Sequence, residues 1–152
     1  MDTRQQIIVS SRSLFAQNGR KKTSIDMIAD TAQVSKGTIY NHFASKDEIF
    51  SEVVHYEGML LFSAVDTAVR NVRGVREKLK AFVMTKIAKF KELANLYSIS
   101  RSNFYEIQDS LVHEMRFLYE RERLLLQEIM AEGVRRQEIA IANVEMVSTV
   151  LV

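Results

Sequence analysis

The chain of 152 residues has no cysteine, no proline and no tryptophan, and it contains only five glycines. Average usage, near 5% proline, would place about seven or eight prolines in a chain of this length. Without them the backbone has few enforced breaks, and an almost wholly helical protein is predicted. The lack of cysteine excludes a disulfide scaffold, thiolate zinc sites and cysteine nucleophiles. No run approaches the roughly 18 apolar residues that would span a bilayer. The start, Met1-Asp2-Thr3-Arg4-Gln5-Gln6, lacks the basic-then-apolar layout of a secretory signal. A cytoplasmic protein with no membrane partner is expected. The scattered glycines offer no phosphate-cradling loop, and His42, His55 and His113 stand apart from one another. His113-Glu114 begins like a zinc-protease motif, but Phe117 occupies the position of the second ligand. The sequence therefore predicts no catalytic residue, no metal, no cofactor and no enzyme.

What is present is 47% hydrophobic and 26% charged, enough for a sizeable core. The formal net charge of +2 is unevenly divided. Residues 1–46 carry +4, including the loop Arg20-Lys21-Lys22, whereas residues 47–152 carry −2. A small polyanion-binding head on a near-neutral body fits that division. So does a merely solvated basic loop, and local structure has to decide.

Capping chemistry marks the helix starts. Thr3 followed by Gln6 fits a reciprocal capping box, and Ile7, Ile8, Leu14 and Phe15 form an apolar stripe ending at Asn18-Gly19. Either Thr23 or Ser24 can cap a second helix, on which Ile25, Ile28, Ala29 and Ala32 recur at helical spacing. Ser35 starts a short third helix with Val34, Ile39 and Phe43 as inward anchors. Ser45-Lys46-Asp47-Glu48 forms another capping box and opens a long fourth helix.

Two short helices joined by a tight turn, with a first helix across them, make a helix-turn-helix unit whose second helix enters the major groove. The outward residues Ser35, Gly37, Thr38, Tyr40, Asn41 and His42 suit that task. Solvated faces favour Glu, Lys and Gln, whereas this one is poor in helix formers and rich in hydrogen-bonding groups. Gly37 costs about 1 kcal/mol of helix propensity relative to alanine, which is reasonable where a backbone must approach something closely.

Leu14-Phe15, Asn18-Gly19, Thr23-Ser24-Ile25, Ile28-Ala29 and the string from Val34 through Phe43 to Ser45-Lys46-Asp47-Glu48 resemble the head of TetR/AcrR-family transcriptional regulators. The resemblance covers roughly residues 7–50. It departs at Gln33, where many members place a glycine in the turn. It implies a helix-turn-helix DNA-binding domain at 1–46 and a helical ligand-binding and dimerisation domain at 47–152. It also implies a homodimeric regulator, most often a repressor, that binds a palindromic operator in double-stranded DNA and is released by a small-molecule effector. The matching DNA contacts are Ser35, Lys36, Gly37, Thr38, Tyr40 and His42. By the same resemblance, Tyr40 and His42 position phosphates and Thr38 and Asn41 reach base edges. Lys46 anchors a phosphate at the start of the fourth helix, and Thr23 or Ser24 holds another.

The body continues with a fourth helix to near Val69, a fifth carrying the stripe Val75, Leu79, Phe82, Val83, Ile87, Phe90 and Ala94, a shorter one near Tyr97–Ile107, and a long one from Asp109 to Arg136. The long helix is apolar on two faces. Phe62, Tyr97, Phe104, Tyr105, His113 and Phe117 are the candidates to line an apolar effector site, although aromatic residues at helical spacing are more often core. The apolar run Val144–Val152 has no stop signal, so the expectation is either a chain truncated at the C-terminus or a last helix that dimerises in an abbreviated form. The competing reading is a helical ligand-sensing or protein-interaction module that does not bind DNA.

Overall fold

The computed structural model describes residues 2–95 and 109–151, and every regular element among them is an α-helix. In chain order these are α1 (Thr3–Lys22), α2 (Ile25–Ala32), α3 (Lys36–His42), α4 (Lys46–Arg70), α5 (Val75–Glu92), α6 (Asp109–Arg135) and α7 (Val144–Val150). The helix expected near Tyr97–Ile107 lies outside the described residues.

The start of α1 differs from the expected Thr3–Gln6 box. Asp2 is the N-cap, its carboxylate accepting from the Gln5 amide at 2.7 Å, and Thr3 is already helical. A charged acceptor one residue earlier outcompetes the hydroxyl. Gln6 instead reaches across and donates from Nε2 to the Ala32 carbonyl at 2.8 Å, fastening α1 to the end of α2. The expected stop at Gly19 is a kink rather than an end. Gly19 sits at φ 75°, ψ 161°, a region that favours glycine, and one further turn carries Arg20, Lys21 and Lys22 before Thr23.

The turn between α2 and α3 is closed by Gln33 in the left-handed conformation, φ 55°, ψ 43°. Its amide donates to Asp30 and that of Val34 to Ala29, at 3.2 and 3.0 Å, the paired bonds of a Schellman cap. A residue with a Cβ costs about 1 kcal/mol there, which the cap offsets. At the start of α4, Ser45 Oγ accepts from the Glu48 amide at 3.1 Å, and Glu48 Oε2 accepts from the Ala44 amide at 2.6 Å. The capping box is present, shifted by one residue on its return arm.

The helices divide into two compact units. One runs through Glu57, includes Ala94 and Asn95, and takes in the beginning of α6 as far as Glu114. The other holds Gly58–Leu93 and α6 from Met115 onward with α7. In the first, Ile7, Ile8, Phe15, Ile28, Ala32, Ile39, Phe43, Ile49 and Phe50 are buried. Phe15 meets Phe50 edge-on at 5.0 Å, and the Arg4 guanidinium lies 5.1 Å from the Phe43 ring. Each large apolar side chain removed from water contributes about 1.5–3 kcal/mol, so the short α2 and α3, which would be marginal alone, hold together with α1.

In the second unit, Leu61, Val65 and Val69 of α4 share a core with Val75 and Phe82 of α5 and with Leu118, Leu125, Leu126, Ile129 and Met130 of α6. Both α6 stripes contribute, although Tyr119 and Val134 remain exposed. The α5 stripe is only half buried. Val83 and Ile87 are 49 and 50% exposed and Met84, outside the stripe, is 60% exposed, so sequence periodicity identified an apolar face but not what covers it. The start of α5 has no side-chain cap of its own. The Glu138 carboxylate serves instead, accepting from the Val75 amide at 2.6 Å.

Candidate nucleic-acid interface

The presentation of α3 follows from its two anchors. Ile39 and Phe43 are 0 and 1% exposed, and pinning them inward turns the opposite face of a seven-residue helix outward. Ser35, Lys36, Gly37, Tyr40, Asn41 and His42 are exposed and Thr38 is half-buried. Ser35 is the N-cap. Its Oγ accepts from the Thr38 amide at 3.0 Å and lies 2.9 Å from Thr38 Oγ1, so the two hydroxyls form one hydrogen-bonded pair on the surface. A Cβ on Gly37 would meet only Ser35 Oγ, at 3.6 Å, so nothing among the described residues demands glycine there.

The two residues before α2 separate in role. Thr23 is 1% exposed, and its hydroxyl donates to the Gly19 carbonyl at 2.9 Å, closing α1. Ser24 is exposed and caps α2, accepting from the Met27 amide at 3.2 Å. Lys36 pairs with Asp26 on α2, whose hydrogen bond and charge raise the lysine above its ordinary value. This acid on the presented face went unnoticed in the sequence, although its place in the first turn of α2 is a usual one for an acid. Lys46 donates from Nζ to the Thr23 carbonyl at 2.8 Å and toward the Lys21 carbonyl at 3.4 Å. Its ammonium thus gathers the end of the basic loop onto the start of α4, where Arg20 also lies 3.6 Å from Asp47.

The surface is therefore a short helix of small polar and aromatic groups, flanked by Arg20, Lys21, Lys22, Lys36 and Lys46 and borne on a buried three-helix core. Residues 7–53 match the family of bacterial regulatory proteins known as the tetR family. The match is confined to this head and does not extend beyond residue 53. The transcriptional regulator AcrR of Shigella flexneri is 44% identical over 52 residues, 34% of this chain and 24% of that protein. The match thus spans about a quarter of the relative's length. Among solved structures, the TetR-family regulator PfmR of Thermus thermophilus covers 93% of this chain and 78% of its own, at 23% identity and a TM-score of 0.67. The regulator FadR of Bacillus subtilis, in complex with stearoyl-CoA, covers 96 and 85% at 19% identity and a TM-score of 0.73. At these identities the likeness of the body is one of fold.

Of the candidate effector residues, Phe62 and Phe117 both lie near Arg121, whose guanidinium carbon is 5.2 and 5.1 Å from their ring centres. Phe62 and Arg121 line an open crevice of about 290 Å³ with Asp66, Arg70, Leu124, Leu125 and Glu128. His113 is exposed on α6 and does not line it, and Tyr97, Phe104 and Tyr105 lie outside the described residues. The sequence reading missed Arg121. Its i, i+4 relation to Phe117 on α6 was the available signal.

Proposed function

We propose that the chain is a ligand-responsive transcriptional regulator acting as a repressor. It binds a palindromic operator as a homodimer through residues 1–46 and is released by a small, largely apolar effector held by residues 47–152. The outward polar face of α3 on its buried anchors carries this reading. In it, Thr38 and Asn41 reach base edges, and Tyr40, His42, Lys36, Lys46 and the start of α2 at Ser24 position phosphates. Lys36 exchanges Asp26 for a phosphate on binding. Thr23 contributes by shaping the loop, because its hydroxyl is already engaged inside the fold. The site of action is the cytoplasm.

One recognition helix reads about four base pairs, far too few to single out an operator among the roughly 10⁶ or more competing sites of a genome. Two heads on a two-fold axis read both halves of a palindrome. Effector release then requires differential affinity: a ligand favouring the unbound head arrangement by about 3 kcal/mol lowers operator affinity over a hundredfold. Acyl thioesters are the first effector class to test, since FadR of Bacillus subtilis holds one.

Selection of bound sequences from a random duplex pool tests the proposal. Enrichment of a palindrome with half-sites about a helical turn apart, bound with a steep salt dependence, is the expected result. A folded protein that enriches nothing, even at low salt, would overturn it in favour of a helical sensing or interaction module without DNA.

A further inference from the structure

Glu57 is a carboxylate at 1% exposure on α4, an expensive place for a charge unless it is held by partners. Two donors converge on the same oxygen. Arg12 of α1 donates from Nε to Oε1 at 2.9 Å, and Asn95 donates from Nδ2 to it at 3.0 Å. Asn95 Nδ2 also reaches the Arg12 carbonyl at 3.0 Å. Asn95 itself is 2% exposed. All three residues belong to the first unit, yet Asn95 comes from beyond α5, far in sequence from the helices it joins. It contacts α1 through the backbone and α4 through the carboxylate at once.

The buried packing of α1 on α4 around this network is apolar, with Ile8, Phe15, Phe50, Val53 and Val54, and the other ion pairs between the two helices, Arg4 with Glu52 at 2.8 Å and Arg20 with Asp47 at 3.6 Å, are partly exposed. Apolar contacts are non-directional and tolerate small sliding, whereas a buried network with fixed donor directions admits one arrangement. We propose that Asn95 is a positioning residue for DNA binding: by bridging the Arg12 carbonyl and the Glu57 carboxylate it fixes α1 on α4, and so sets the angle at which the head offers α3. The inference rests on the operator-binding reading above. Asn95 is too buried to touch a phosphate, so its effect passes wholly through the set of α1.

The test uses the full chain with Asn95→Ala and, as a milder change at a partly exposed position, Arg12→Gln. Affinity is measured at two salt concentrations on the selected palindrome, and on versions with the spacer lengthened or shortened by one base pair. Both variants are expected to bind the parent palindrome about tenfold more weakly, in line with the loss of hydrogen bonds to a buried charge. Their salt slope stays unchanged, because no phosphate contact is removed. The preference for the native spacer over its neighbours shrinks, because the heads are less tightly aimed. Circular dichroism confirms retained helix, and if Asn95→Ala does not fold, Arg12→Gln carries the comparison. Parent-like affinity and spacer preference in a folded variant would overturn the inference, as would a changed salt slope. Failure of the unmutated protein to bind any duplex would instead strike the operator reading itself.

Discussion

At the scale of single residues, Gly37 and Lys46 separate what the fold needs from what a partner needs. A Cβ at Gly37 meets nothing closer than 3.6 Å among the described residues. Gly37→Ala should therefore leave the head folded, or stabilise it by up to about 1 kcal/mol in a urea titration, while weakening operator binding severalfold. A variant that binds as well as its parent would show that no close approach occurs there. Lys46 divides its ammonium between the Thr23 and Lys21 carbonyls and the space in front of α4. Lys46→Ala is expected to weaken binding alike for all sequences and to flatten the salt slope by about one. An unchanged slope with lost affinity would mean that the lysine only shapes the loop, and a changed base preference would refute both roles.

At the scale of elements, the seam between α5 and α6 depends on a missing side chain. A Cβ on Gly133 would come within 2.8 and 2.9 Å of Val75 side-chain atoms and 3.0 Å of Ile139. Gly133→Ala should cost about 1–3 kcal/mol by overpacking, read as a lower Tm, and Val75→Ala in the same chain should recover part of it. No recovery would place the strain elsewhere. That close approach was invisible in the sequence, because one glycine in a helical pattern looks like any other. The helices themselves were legible. Ser24, Ser35 and Ser45 cap where their side chains predict, and the anchors Ile39 and Phe43 fix which face of α3 turns outward. The misreadings occurred where two signals competed. Asp2 and Thr3 could both cap α1, and the sequence does not weigh a carboxylate against a hydroxyl one residue later. Arg12, Glu57 and Asn95 are separated by 45 and 38 residues, and no local pattern announces such a meeting.

At the scale of the whole molecule, pH dependence should report one buried acid. Glu122 of α6 is wholly buried; Lys86 donates to its Oε2 at 2.8 Å, while Oε1 has no hydrogen-bond partner among the described residues. Burial lifts this carboxyl above its ordinary 4.5, and the hydrogen bond and charge of Lys86 pull it part of the way back. The fold thus holds the proton more tightly than the unfolded chain does. Its contribution to stability is full below 4.5 and is lost as pH rises through the folded value. Glu122→Gln should accordingly raise Tm relative to the parent at neutral pH, with an advantage that shrinks on acidification. A variant less stable than the parent at neutral pH would mean that the Lys86 pairing outweighs the burial. Finally, in a chain without thiols, oxidants have sulfur to attack only in thioethers. Met84 on the open face of α5 and Met146 on α7 are 60 and 61% exposed, whereas Met130 is 1% exposed. Ageing in peroxide should therefore add sulfoxide oxygens at those two exposed sites before Met130, turning a greasy helix face polar while the interior stays intact.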